Sequence, residues 1–115
     1  MPCINCYFSQ TVSSTEKEAL KLRMGESITL LAGKTEQYLM VIISDNNVIY
    51  FRGNDQKPAA YIEVNLFARQ DISDCYNAFS AQLCELFHEI LGLEADRIYI
   101  KYSDTKHWGW NGRNF

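Results

Sequence analysis

The sequence predicts a single α+β domain, an α/β sandwich in which two pseudo-symmetric strand–helix–strand units form one four-stranded mixed sheet with two helices on one face. The chain has 115 residues, which is the size of one domain, so we assign residues 1–115 to it. Apolar residues make up 47% and charged residues 22%, a balance typical of folded globular proteins. Two helix-length apolar patterns also occur, each between two strand-length runs.

The first unit begins with a short β-prone run, Ile4–Ser9, which predicts a strand. Ser13-x-x-Glu16 and Thr15-x-x-Glu18 both fit a capping box, in which a hydroxyl and a carboxylate bond each other's free backbone N–H groups. A helix is expected to follow, because apolar residues recur at helical spacing at Leu20, Met24, Ile28 and Leu31.

Two glycines interrupt this first helix. Gly25 weakens its middle by roughly 1 kcal/mol relative to alanine, and Gly33 is expected to end it in a left-handed conformation. The apolar run Tyr38–Ser44 then predicts a strand buried on both faces. Asp-Asn-Asn at 45–47 has turn chemistry, so Val48–Phe51 is predicted as a short strand that completes a hairpin.

The second unit repeats this layout. Tyr61–Phe67 predicts a strand, and Ser73 or Asp74 is the expected N-cap of the next helix. Gly92 is expected to end that helix, and Arg97–Tyr102 alternates as a strand does. The helix itself is predicted from an apolar stripe at Cys75, Phe79, Leu83, Phe87, Ile90 and Leu91.

Charge and hydropathy exclude several classes of protein. Lys and Arg total 11 and Asp and Glu total 14, for a net charge of −3, which argues against a nucleic-acid binder. No run of about 18 apolar residues exists, so no membrane-spanning helix is expected. The start of the chain lacks a basic segment followed by an apolar run, so no secretory signal is predicted. We therefore expect a cytoplasmic protein with reduced thiols.

The four cysteines do not form a convincing redox or metal motif. Cys3 and Cys6 have C-x-x-C spacing, but on a strand residues three apart point to opposite faces. Cys75 and Cys84 are expected to pack as small apolar groups on the second helix. Because no His, Cys or Asp cluster has metal-ligand spacing, we expect neither a metal nor a cofactor.

Apolar surface is expected to remain after the two helices cover one face of the sheet. The predicted strand Tyr61–Phe67 carries the apolar residues Tyr61, Val64 and Phe67, and two helices on one face of the sheet leave the other face uncovered. Association with further copies of the chain is the simplest way to bury such surface. The sequence therefore predicts a homo-oligomer.

Four stretches carry a resemblance to a known family. They are Met-Pro-Cys at 1–3, Gly-Lys followed by Gln-Tyr within 33–38, Asp-Arg-Ile-Tyr-Ile at 96–100, and Trp-Gly-Trp-Asn-Gly-Arg-Asn-Phe at 108–115. In this order and spacing they resemble the macrophage migration inhibitory factor (MIF) family of the tautomerase superfamily. The resemblance covers the full length of the chain.

The resemblance implies a homotrimer whose active sites lie at subunit interfaces around the N-terminal proline. It implies keto–enol tautomerisation of phenylpyruvate-like 2-oxo acids or dopachrome-like compounds. Some members of the family are cytokines that leave the cell without a signal peptide. An alternative function is therefore a signalling protein with a vestigial pocket, a protein receptor and non-classical secretion.

Pro2 is the candidate general base, because removal of Met1 turns its nitrogen from an amide into a secondary amine. The amine must be neutral to accept a proton, and burial or a nearby cation would lower its pKa. The resemblance implies that Lys34 is that cation. It also implies that Lys34 binds the substrate carboxylate or stabilises the developing enolate oxygen. A base with a pKa near the working pH suits general acid–base catalysis.

The resemblance also implies the rest of the substrate pocket. It assigns Tyr99 of a neighbouring subunit to the pocket lining, and a main-chain N–H to the position of Phe67. Tyr38 and Trp110 would supply aromatic walls. Leu-Phe-Ala stands at 66–68 where the family has Ser-Ile-Gly, so Phe67 is expected to narrow the pocket. Lys101 stands where the family commonly has Asn, and would add a second cation that favours substrates with an extra negative group.

Simpler roles remain open for several of these residues. Lys34 follows a helix end and could complement the helix dipole, and Tyr99 could be an ordinary packing residue of an alternating strand. The aromatic residues of the tail could serve contacts between subunits. Dehalogenation or decarboxylation would require arginines and an acidic residue near Pro2, for which only Lys101 and Arg113 are candidates.

Overall fold

One mixed sheet of four strands forms the centre of the computed structural model, which describes residues 1–115. The strands are β1 (Pro2–Phe8), β2 (Met40–Ser44), β3 (Ala60–Phe67) and β4 (Ile98–Thr105), in the order β2-β1-β3-β4. β1 runs parallel to β2 and antiparallel to β3, and β3 runs parallel to β4. The predicted sheet of two strand–helix–strand units is therefore confirmed.

Two helices, α1 (Ser14–Ser27) and α2 (Tyr76–Leu91), cover one face of this sheet. Alternate residues of β1 and β3 are buried, as expected for strands with one covered face. Neither helix is long and apolar enough to cross a membrane. The largest fully buried side chains of the core come from both helices and both central strands: Ile4, Phe8, Leu20, Met24, Ile62, Leu66, Phe79, Leu83 and Phe87.

The start of α1 follows its sequence signal and the end does not. The Ser13 hydroxyl accepts the Glu16 N–H at 3.1 Å, and the Glu16 carboxylate accepts the Ser13 N–H at 2.9 Å, which completes the capping box. The helix ends at Ser27 and continues as a 3₁₀ turn, Ile28–Leu30. Gly33, with φ of 74°, therefore lies in the connection beyond the helix. The prediction overran because the apolar spacing continues through the tighter turn.

The start of α2 was predicted wrongly, whereas its end was predicted correctly. A 3₁₀ turn, Ser73–Cys75, precedes the helix, and neither Ser73 nor Asp74 acts as its N-cap. Instead the Asp71 carboxylate accepts the Ser73 N–H at 2.9 Å, two residues on, in an Asx turn that leads into the 3₁₀ turn. Gly92 adopts the left-handed conformation, with φ of 71°, directly after the last residue of α2.

β2 is an edge strand with one exposed apolar face, so the predicted burial of Tyr38–Ser44 on both faces is wrong for the single chain. The strand begins only at Met40. Met40 and Ile42 are 59% and 47% exposed, whereas Val41 and Ile43 pack against the core. The apolar run reflects a surface that no other part of this chain covers.

The predicted strand Val48–Phe51 does not form, so the hairpin with β2 is absent. One isolated bridge closes a turn at residues 51–54, and Val48 and Tyr50 are 80% and 67% exposed. Asn47 explains the change of direction, because its backbone and side-chain N–H groups both donate to the last carbonyl of β1, at 3.0 and 3.1 Å. The chain is thereby bound to β1 and does not fold back along β2.

Candidate functional site

An open cavity of about 660 Å³ lies where the chain begins, at the end of the sheet that contains the first residue of β1. Its lining is mainly apolar and aromatic, and cavities of this volume are typical of small-molecule sites. The residues that define it include Met1, Pro2, Tyr38, Met40, Trp108 and Trp110.

Strand register explains why Tyr38 reaches this cavity. β1 and β2 are parallel, and Cys3 is in register with Met40, so both strands begin at the same end of the sheet. The 3₁₀ turn that leads into β2, Glu36–Tyr38, therefore arrives beside Pro2. A lysine or tyrosine in this connection is held close to the start of the chain although more than thirty positions separate them in sequence.

The C-terminal segment adds the opposite aromatic wall. Its two short strands, β5 (Gly109–Trp110) and β6 (Arg113–Asn114), form a hairpin. The two residues between them, Asn and Gly at 111–112, have φ of 55° and 82°, as tight two-residue hairpin turns require. This turn places the Trp110 ring edge-to-face with Tyr38, with ring centroids 5.9 Å apart. The sequence-predicted aromatic walls therefore meet each other at the cavity.

Lys34 lies beside the Met1 amine but does not line this cavity; together with Phe67 it lines a separate pocket. Its Nζ donates to the Phe67 carbonyl oxygen at 2.5 Å, and the side chain is half-buried. Its positive charge also acts on the amino group of Met1. A hydrogen bond to the end of β3 thus holds the lysine next to the chain start, so it is not simply a solvated residue after a helix.

The amino group of Met1 shows what this environment does to an amine. Burial first, and then the charge of Lys34 and a hydrogen bond with it, lower its pKa from the ordinary value of 8.0 to about 6. The Phe67 N–H donates to the Met1 carbonyl oxygen at 3.1 Å. Met1 therefore forms the hydrogen bonds that Lys34 and the Phe67 N–H offer beside Pro2. While Met1 is attached, the Pro2 nitrogen is an amide and is not basic.

The Phe67 side chain is directed into an aromatic cluster formed with the C-terminus. Its ring lies 5.7 Å from that of Phe115, which in turn lies 6.3 Å from Trp110. The guanidinium of Arg69 stacks 5.5 Å from the Phe67 centroid. Sequence reasoning missed Arg69, and also Met40, which would have emerged from the parallel register of the first two strands.

Tyr99 and Lys101 lie elsewhere in the chain. β4 is the far edge strand, where Tyr99 is in register with Tyr61 of β3, whereas Pro2 is in register with Leu66. Five strand positions separate these two levels, about 16 Å along the sheet. Tyr99 is 64% exposed. The single chain thus does not bring Tyr99 or Lys101 to Pro2, and their arrival from a neighbouring subunit stays a prediction.

The cysteines confirm the strand argument. All four thiols are free, and Cys3 and Cys6 point to opposite faces of β1, the first half-buried and the second fully buried. Burial raises the pKa of Cys6 to about 12, and burial and the charge of Glu63 raise that of Cys3. Nowhere in the chain do three His, Cys, Asp or Glu side chains converge as a metal site.

Comparison with protein families gives one match over the whole chain. The model of macrophage migration inhibitory factor (MIF) matches residues 1–115. The macrophage migration inhibitory factor of Meriones unguiculatus is 30% identical over 105 residues, which cover 89% of each chain. The protein of the same name from Mus musculus is 27% identical over 100 residues, or 85% of each chain.

Solved structures give the same result. The chain is similar to MIF2 of Leishmania major with a TM-score of 0.91 and 30% identity, over 100% of this chain and 97% of that one. A macrophage migration inhibitory factor homologue from Prochlorococcus marinus has a TM-score of 0.86 and 32% identity over 98% of both chains. The macrophage migration inhibitory factor of Toxoplasma gondii has a TM-score of 0.88 at 22% identity, over 98% of this chain and 99% of that one, a likeness of fold alone.

Proposed function

The chain belongs to the macrophage migration inhibitory factor family, and we propose that it is a tautomerase whose general base is the amino group of Pro2 after Met1 is removed. The proposed reaction is the keto–enol tautomerisation of phenylpyruvate- or dopachrome-like compounds. One observation carries the proposal: an amino group at the start of this chain lies beside Lys34, at the edge of an apolar cavity, and has its pKa lowered to about 6.

Met1 supports the proposal by the position of its own atoms. Its carbonyl oxygen accepts the Phe67 N–H, and its carbonyl carbon is bonded to the Pro2 nitrogen. When Met1 is removed, this N–H loses its acceptor and the Pro2 nitrogen becomes a basic amine. A substrate whose carbonyl oxygen accepts the freed Phe67 N–H would have its adjacent carbon within reach of the Pro2 amine. The hydrogen bond to Met1 supports the proposal because it shows that the Phe67 N–H is available to a carbonyl oxygen beside residue 2.

The proposed mechanism has two proton transfers. The neutral Pro2 amine takes the proton from the carbon next to the carbonyl, and the released electron pair forms the carbon–carbon double bond as charge moves to oxygen. The Lys34 ammonium and the Phe67 N–H stabilise that oxygen. The protonated Pro2 then delivers its proton to the oxygen, which gives the enol. Burial and the charge of Lys34, which lower the pKa of the Met1 amine, would also lower the pKa of a Pro2 amine and so favour its neutral, basic form.

We also propose the homotrimer, with Tyr99 and Lys101 of a neighbouring subunit completing each site. The exposed apolar face of β2 at Met40 and Ile42 supports this, because an uncovered apolar edge strand invites association. Tyr99, with most of its ring exposed, is free to contact a second chain. Analytical ultracentrifugation measures the assembly, and a monomer with full activity would contradict this part of the proposal.

The test of the base compares wild type with Pro2→Gly, both shown by mass spectrometry to lack Met1. We expect phenylpyruvate tautomerisation to fall by about 100-fold or more, since general acid–base catalysis contributes typically 10²–10⁴-fold. Cys3→Ser is the matched control, because it changes the neighbouring residue and leaves the amine in place. Equal rates for wild type and Pro2→Gly would refute Pro2 as the base.

The alternative of a signalling protein with a vestigial pocket stays a prediction. No feature of the chain favours it separately from the family. The same assay separates the two functions, because a wild-type protein without Met1 that is no faster than the uncatalysed reaction would refute the tautomerase.

A further inference from the structure

Arg97 is a buried cation that no carboxylate neutralises. It is 6% exposed, and its guanidinium donates to four backbone carbonyls of the loop before β3. They are those of Phe51 and Lys57, both at 2.9 Å, Asn54 at 3.2 Å and Pro58 at 3.3 Å. A planar group with five donors can bind this loop at several points, as a lysine could not. Arg97 thereby fastens an irregular loop to the start of β4.

The ring of Phe51 connects this clamp to Tyr99. Its centroid lies 5.2 Å from the guanidinium carbon of Arg97 and 5.4 Å from that of Arg52. The ring meets Tyr99 edge-to-face, with centroids 5.0 Å apart and an interplanar angle of 82°. Since Tyr99 is otherwise largely exposed, Phe51 is the aromatic contact that restrains its ring.

We propose that Phe51, held in place by Arg97, is a positioning residue that orients Tyr99 before it enters the substrate pocket of a neighbouring subunit. This inference rests on the proposed function. An exposed tyrosine samples several rotamers, and ordering it on binding costs affinity. An edge-to-face contact favours one orientation by about 2- to 12-fold. Phe51 therefore orders Tyr99, the residue that each chain presents on its edge strand β4 for the pocket of a neighbouring subunit.

The main test uses Phe51→Leu, which keeps an apolar side chain and removes the ring. We expect the KM for phenylpyruvate to rise by about 2- to 12-fold with kcat little changed, because an ordering contact affects binding of substrate and transition state alike. Phe51→Tyr is the matched control, since it restores the ring and should restore KM. A KM unchanged in Phe51→Leu, or not restored in Phe51→Tyr, would overturn the inference.

A double-mutant cycle shows whether the effect passes through Tyr99. In the Tyr99→Ala background, Phe51→Leu should leave KM unaltered, because the residue it positions is gone. Additive effects on KM would mean that Phe51 acts by another route, and would overturn the inference. Arg97→Lys, which weakens the clamp and leaves the Phe51 side chain itself in place, provides a second variant and should also raise KM.

A readout independent of activity keeps this inference separate from the proposed function. In protein with isotope-labelled tyrosine rings, the Tyr99 resonances are assigned by comparison with Tyr99→Phe. Phe51→Leu should move them toward the positions of free tyrosine, and Phe51→Tyr should not. An inactive wild type would refute the tautomerase, and the resonances would still decide whether Phe51 orients Tyr99. Unmoved resonances in a folded Phe51→Leu protein would overturn the positioning role.

Discussion

The two strand–helix–strand units make the same connection after their helices with different residues. In the first unit Gly33 is followed by Lys34, which reaches the Phe67 carbonyl and the Met1 amine. In the second unit Gly92 is followed by Leu93, which is fully buried in the core. Both glycines have positive φ. The connection thus requires the glycine and not the cation, and the fold alone does not account for Lys34.

The edge strands of the two units, β2 and β4, also differ in the residues that they expose. The exposed residues of β2, Met40 and Ile42, are apolar, whereas β4 exposes Tyr99, Lys101 and Ser103 on alternate positions. Side chains alternate between the two faces in both strands, so the difference lies in which residues the exposed face of each strand carries. The first unit holds the proposed base and its cation, and the second presents a tyrosine that a clamp has oriented.

Lys34→Leu gives the first unit the residue that follows the glycine in the second. We expect kcat/KM for phenylpyruvate to fall by about 10²–10³-fold, as on loss of one group that stabilises a developing oxyanion. The unfolding free energy should fall by no more than about 1.5–3 kcal/mol, which is what the lost hydrogen bond from Lys34 to the Phe67 carbonyl is worth. Steady-state kinetics and urea unfolding measure both, with Lys34→Arg as the charge-retaining control. Wild-type kinetics in Lys34→Leu would show that the lysine has only a structural role.

Arg97→Met tests the clamp that only the second unit has. The variant leaves four loop carbonyls without their donor, and we expect the unfolding free energy to fall by about 3 kcal/mol, since a hydrogen bond to a charged group is worth roughly 1.5–3 kcal/mol. Urea unfolding measures this at fixed protein concentration. Arg52→Met is the control, because Arg52 stacks on the same ring while its ion pair with Asp96 is exposed. Equal losses in both variants would contradict a special role for Arg97.

The pH dependence of the chain that retains Met1 tests the charge of Lys34 directly. Because the folded state lowers the pKa of the Met1 amine from 8.0 to about 6, the unfolded chain binds more protons between these values. Unfolding free energy should therefore rise as the pH increases from 6 to 8. In Lys34→Leu the pKa should move back toward 8.0, though not fully, because burial remains. NMR titration of the amine measures the shift, and an unchanged pKa would exclude a contribution from Lys34.

Gly25 marks a smaller difference, since α2 has no interior glycine. A Cβ at Gly25 would clash with the carboxylate of Glu36, so the glycine allows that side chain to lie against the helix. We expect Gly25→Ala to be nearly neutral in wild type, because the gain in helix propensity is offset by displacing Glu36. In the Glu36→Ala background it should stabilise by about 0.8–1.0 kcal/mol. Thermal unfolding of the four proteins measures the coupling, and equal effects in both backgrounds would exclude it.

Local sequence signals predicted much of the fold. The Ser13–Glu16 capping box, the apolar stripe of α2 and the stop at Gly92 depend on neighbours within about four residues, so they are readable without the tertiary structure. Of the candidate site, Pro2, Lys34, Tyr38 and Trp110 came from the family resemblance and not from periodicity. The structure brings them to one end of the sheet because β1 and β2 are parallel.

Tertiary contacts decided the rest. Asn47 turns the chain away from β2 by donating twice to the Phe8 carbonyl, which lies far from it in sequence, so no local pattern could exclude the strand Val48–Phe51. From the sequence, Arg97 is predicted as an ordinary strand residue. Only the folded structure shows that its guanidinium donates to the carbonyls of a distant loop. The sequence by itself determined the four main strands and the two helices, and its resemblance to the family pointed to Pro2 and Lys34 as the proposed base and its cation. Only the tertiary structure decided which faces stay exposed and which groups meet, since both depend on contacts between distant segments.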